Sequence, residues 1–121
     1  MAPIFFAYER TPIGLKKVHM SLDVFETYLS RLGRRWAADD HITIADFPLI
    51  NSTMTLEAIG FDFSQYKKVS KWYTDFKETY PELWKISKDA MKEIQHFAAN
   101  PPDLSKLNHP IHPIRDVKKN D

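Results

Sequence analysis

Leu15, Val18, Leu22, Phe25, Leu29 and Leu32 follow one another at steps of three and four residues, which puts six apolar side chains on one stripe of a helix. A stripe of that length is stable in water only when another surface covers it, so the chain must build a helical core. Gly33 follows the last of the six and supplies backbone that can turn left-handed to stop a helix over residues 14–32. The other two glycines, Gly14 and Gly60, also fall between stretches of helical spacing. No alternating stretch of strand length and no internal repeat competes with this pattern.

Three further helices follow. The spacing predicts one over residues 43–59, begun by a capping turn. The Thr43 hydroxyl can accept from free amides of the first turn, and Asp46, three residues on, can reach back to the amide of Thr43 while facing the positive helix end. Ile42 and Phe47 flank that turn at the spacing of a hydrophobic staple. Pro48 is expected to remove one helical hydrogen bond and bend the chain locally. The next helix, over 65–80, carries Val69, Trp72, Tyr73, Phe76 and Tyr80 on one side. The last, over 81–99, begins at Pro81, presents Leu83, Ile86, Ala90, Ile94 and Phe97, and ends before Asn100-Pro101-Pro102. A short helical piece over residues 3–10 precedes them. The expected architecture is therefore all-α, a bundle of about five helices over residues 1–100. A tail over 101–121 holds four of the eight prolines and packs through Leu104, Leu107 and Ile111.

With 121 residues the chain suits one domain, long enough to bury roughly two-thirds of its unfolded surface. It has no cysteine, which removes disulfide scaffolds, thiolate metal sites and cysteine nucleophiles. Seventeen basic and sixteen acidic side chains leave a net charge of +1, too little for the broad basic field on which nucleic-acid binding draws. The apolar runs are far too short to span a bilayer, and the start lacks a basic signal-peptide region. Local groupings are thin. His109 and His112 have the spacing of two metal ligands but no third, so no metal is expected. Arg34-Arg35 with Lys67-Lys68 and Lys71 can gather into a small basic patch, although acids alternate with them and a solvated face accounts for them. Trp36, Trp72 and Trp84 read as core or interface filler. Asp46 could be a catalytic carboxylate, but capping accounts for it fully.

One stretch carries a family resemblance. Trp36-Ala37-Ala38-Asp39-Asp40-His41-Ile42-Thr43-Ile44-Ala45-Asp46-Phe47 resembles the A-G-D-x-L-T-x-A-D signature of glutathione transferase C-terminal domains. Thr55-Leu56-Glu57-Ala58-Ile59-Gly60-Phe61-Asp62 and Tyr66-Lys67-Lys68-Val69-Ser70-Lys71-Trp72-Tyr73 are similar to the T-L-E-A-x-G-F-D and K-Y-P-x-V-x-R-W-Y stretches of insect delta and epsilon members. Order and spacing agree over residues 15–90. The first eleven residues, Asp23 to Leu29 and the tail Asn108-His109-Pro110-Ile111-His112-Pro113 are most similar to unclassified insect transferases and to the transferase-like domain that ends insect FLYWCH zinc-finger proteins. Asp39 replaces the signature glycine, Lys67 stands where proline is frequent, and Pro48 where a small residue is common.

The resemblance implies the helical half of a cytosolic, dimeric enzyme that joins glutathione to hydrophobic electrophiles. In that family the glutathione site and the catalytic serine or tyrosine belong to a preceding thioredoxin-like domain, of which this chain carries nothing. No catalytic residue is therefore expected here, and glutathione itself should not bind. The helical domain contributes the hydrophobic wall, for which Ile4, Tyr8 and Phe97 are the candidates, with Phe5 behind them. It also contributes part of the dimer contact. The alternative is a non-catalytic, transferase-like interaction module of a larger nuclear or translational protein.

Overall fold

The structure, a computed structural model, describes residues 11–101. These form four helices: α1 (Pro12–Leu32), α2 (Asp46–Ala58), α3 (Lys67–Thr79) and α4 (Pro81–Ala99). No strand occurs among the described residues. The expected helical piece over 3–10 and the tail from 102 onward lie outside them. Helix α3 is the hub, packing against α1 on one side and α4 on the other, while α2 closes on α4.

Local chemistry sets the boundaries. Helix α1 begins two residues earlier than the apolar spacing indicates. The Thr11 hydroxyl accepts from the Gly14 amide at 3.0 Å, and Pro12 occupies a first-turn position where a missing amide is no loss. Gly14 thus lies inside the helix and separates nothing. At the other end Gly33 adopts φ +63° and its amide closes on the Leu29 carbonyl at 3.2 Å. Helix α2 ends in a tighter version of the same device: Gly60, at φ +78°, donates to the Glu57 carbonyl, and the Phe61 amide donates to the Leu56 carbonyl.

Helix α2 starts three residues later than expected, at Asp46, because residues 43–45 form a tight turn in which the Asp46 amide meets the Thr43 carbonyl at 3.1 Å. Pro48 is consequently the third helical residue, where an amide has no intrahelical acceptor in any case. It removes no bond, and α2 continues through it.

The core is aromatic at its centre. Trp36, Val69, Trp72 and Phe76 are almost wholly buried, joined by Leu22 and Leu29 from α1, Ile50 and Met54 from α2 and Ile94 from α4. Phe25 meets the Trp72 ring edge-on at 5.0 Å and Trp84 meets Tyr73 edge-on at 5.7 Å, the offset geometry aromatic pairs prefer. Two expected stripes are corrected. In α1 the buried pair is Leu22 and Leu29, with Val18, Phe25 and Leu32 half-buried, but Leu15 faces out. In α4 the inward stripe is Trp84, Met91, Ile94 and Ala98, whereas Leu83, Ile86 and Ala90 are exposed. Helix α4 carries apolar residues on two faces, and the edge contact between Trp84 and Tyr73 sets which one turns inward.

Candidate functional site

The most organised polar centre is Asp46, which has 0 % exposure. One carboxylate oxygen accepts from the Thr43 amide at 2.9 Å and from the Thr43 hydroxyl at 3.3 Å. The other accepts from the Ala37 amide at 2.8 Å and from the Trp72 indole N–H at 2.9 Å. A single carboxylate thus ties the 36–43 loop, the start of α2 and the middle of α3. With four donors converging on its two oxygens, it has no lone pair in position for a substrate. The Thr43 hydroxyl accepts from the Ala45 amide at 3.3 Å. Ile42 packs against the core, while Phe47 keeps 39 % of its surface exposed. Asp39 fits the glycine position because its carbonyl accepts from the Trp36 amide at 3.0 Å and its carboxylate from the Asp40 amide at 2.8 Å.

Three more ties have no counterpart in the sequence patterns. Helix α3 has no capping side chain of its own; Glu26 of α1 caps it, one oxygen accepting from the Lys68 amide at 2.8 Å and the other from the Val69 amide at 2.9 Å. Glu57, at the end of α2, accepts from the Tyr73 hydroxyl at 2.6 Å and from the Lys77 ammonium at 2.9 and 3.0 Å. That ammonium also sits over the Tyr73 and Trp84 rings, 4.1 and 4.5 Å from their centroids. Burial, then the hydrogen bond to Glu57 and its charge, pushes the Tyr73 phenol far up. On α1, His19 Nδ1 meets the Tyr66 hydroxyl at 2.6 Å and the Gln65 amide nitrogen at 3.0 Å. Tyr66 is also raised, by burial first and by the charge of Asp23 second.

Each of these groups is internally satisfied. The surface is not. Ile13, Met20, Val24 and Tyr28 form an outward stripe along α1, with Val24 70 % exposed, and Leu83 and Ile86 form another on α4, with Ile86 70 % exposed. Contiguous apolar stripes of this kind mark surfaces that another element covers. Of the three expected wall residues, Ile4 and Tyr8 lie outside the described residues. Phe97 sits near the end of α4, 37 % exposed, with the His96 ring 6.0 Å away. No helix among the described residues is long and apolar enough to cross a membrane.

An all-α unit of four described helices, tied together by a buried aspartate turn, is the class of domain these observations define. Residues 7–79 match the family of glutathione S-transferase C-terminal domains, and the chain belongs to it. It is similar to the crystal structure of a diazinon-metabolizing glutathione S-transferase in the silkworm, Bombyx mori, with 74 % sequence identity and a TM-score of 0.71. The match covers 72 % of this chain and 43 % of the silkworm chain, so the chain spans less than half of that protein's length.

Proposed function

We propose that this chain is the electrophile-binding and assembly half of an enzyme that conjugates glutathione to hydrophobic electrophiles. Such a reaction joins the glutathione sulfur to the electrophile, with the thiol activated as thiolate. Residues 1–100 form the helical domain and 101–121 its tail. Ile4, Tyr8 and Phe97 border the hydrophobic pocket, and glutathione is held by a thioredoxin-like domain that precedes this one in a cytoplasmic homodimer. The observation that carries the reading is the 74 % identity to a diazinon-metabolizing glutathione S-transferase. The open stripe of Ile13, Met20, Val24 and Tyr28 on α1 supports it, because an apolar surface of that length belongs under a covering domain or subunit.

The test is conjugation of glutathione to an aryl chloride by the full-length protein, beside the same assay on the 121-residue chain. Activity in the first and none in the second supports the assignment. A full-length protein with no turnover and no measurable glutathione binding by calorimetry would overturn it in favour of the non-catalytic interaction module. A Phe97→Ala variant should raise the KM for the electrophile and leave that for glutathione unchanged. Equal effects on both would remove Phe97 from the wall.

A further inference from the structure

The fold gathers basic residues that the sequence holds far apart. A groove of about 320 Å³ opens between the end of α1 and the outer face of α3. Leu29 and Trp72 supply apolar floor, while Arg34, Arg35, Lys68 and Lys71 stand round it with Asp75 as the one carboxylate in the lining. Asp75 is shared, 2.7 Å from the Lys71 ammonium and 3.7 Å from Arg35 Nε. Arg34 leans on Asp40 and Asp39 outside the lining. Glu26, the nearest other acid, has both oxygens occupied by the Lys68 and Val69 amides. The Lys68 ammonium pairs with no acid among the described residues.

A solvated face spreads its charges over convex surface. Here they line a concavity of the size at which small-ligand pockets begin. Arg35 is taken up by Thr79 and Asp75, but the Arg34 guanidinium and the Lys68 and Lys71 ammonium groups together carry more donors than their carboxylate partners take up, and they suit the three free oxygens of a phosphate monoester. The methylene stems of the Arg and Lys side chains, above the buried Leu29 and Trp72, give the organic part of such an ester an apolar contact. We propose that this groove binds a small organic phosphate, its phosphoryl group at the Arg34, Lys68 and Lys71 rim and its organic part against the methylene stems of those side chains. The Trp72 indole N–H is committed to Asp46, so Trp72, buried beneath the groove, reports occupancy without bonding the ligand.

The experiment is a two-dimensional amide NMR titration of the 121-residue chain at fixed ionic strength, with phenyl phosphate, inorganic phosphate, benzoate and glutathione as probes. Saturable shifts at Gly33, Arg34, Lys68 and the Trp72 indole are expected. They should be tighter for phenyl phosphate than for inorganic phosphate and weakest for benzoate. Lys68→Ala keeps the backbone amide that Glu26 caps, so it should leave the remaining spectrum intact and weaken phenyl phosphate about tenfold, the loss of one charge-assisted bond; Lys68→Arg should restore it. Shifts that benzoate or glutathione reproduce equally, shifts that fall elsewhere, or an unchanged affinity in Lys68→Ala would each overturn the proposal.

Discussion

Asp46 illustrates how much one buried carboxylate can hold. As a plain helix cap its removal would cost about 1 kcal/mol. It also satisfies the buried amide of Ala37 and the indole of Trp72, and each buried donor left without an acceptor costs about 1–3 kcal/mol. Asp46→Ala should therefore lower stability by about 3–7 kcal/mol, a large share of a small domain's total. Thr43→Ala, which loses only the 3.3 Å bonds to Ala45 and Asp46, should cost about 1 kcal/mol or less. Urea denaturation midpoints for the two variants check this; similar shifts would reduce Asp46 to a simple cap. A second residue-scale prediction concerns alkaline pH. Tyr73 and Tyr66 both titrate above their ordinary value in the folded chain, so the folded state holds its phenolic protons longer than the unfolded one. Stability from this source is fully present below pH ~10 and is lost as pH rises through the raised values. Denaturation midpoints measured from pH 8 to 11 should be flat at first and then fall, and Tyr73→Phe should flatten the fall. A decline that begins well below pH 9 would point to other groups.

Among the elements, α3 shows what a sequence can and cannot convey. Its apolar face was legible: Val69, Trp72, Tyr73 and Phe76 recur at helical spacing and are buried. Its cap was not, because Glu26 lies 42 residues before Lys68 and no local pattern links them. Glu26→Gln replaces one of two accepting oxygens by a donor and should cost about 1 kcal/mol, read as a lower urea midpoint with helix content retained; no change would mean that water caps α3 equally well. Helix α4 is the complementary case. Its existence and limits follow from Pro81 and Asn100-Pro101, yet periodicity alone favoured the wrong face, since Leu83, Ile86, Ala90 and Ile94 fit a helical stripe as well as Trp84, Met91, Ile94 and Ala98 do. Burial separates the two. Ile94→Ala should cost about 2–5 kcal/mol and Ile86→Ala no more than about 0.5 kcal/mol in thermal or urea unfolding of this chain, and equal costs would return α4 to the other orientation. The aspartate turn was legible as a local motif, whereas its bond to Trp72, which makes it central to the fold, was not, since 26 residues separate the two.

At the scale of the whole molecule, the outer stripe of α1 has no part in the core that the described residues form. Ile13, Met20, Val24 and Tyr28 repeat on one face as regularly as the buried residues opposite them. An amphipathic helix needs only one apolar face to join a core, so the second requires a surface supplied from elsewhere. The preceding domain proposed above would supply that surface, and the silkworm protein does extend well beyond the stretch that matches. Val24→Glu separates the two settings. In the 121-residue chain the side chain stands in water, and the change should move the unfolding midpoint by no more than about 0.5 kcal/mol. In the full-length protein the same carboxylate would be forced into an apolar contact without a counter-charge, and an unpaired buried charge is strongly destabilising. The expected result is a near-neutral variant in the short chain and, in the long one, a lowered melting temperature or a shift toward smaller species in analytical ultracentrifugation. If the substitution is silent in both, the stripe lies uncovered in the longer protein, and the assembly role assigned to α1 fails while the fold and its aspartate centre stand.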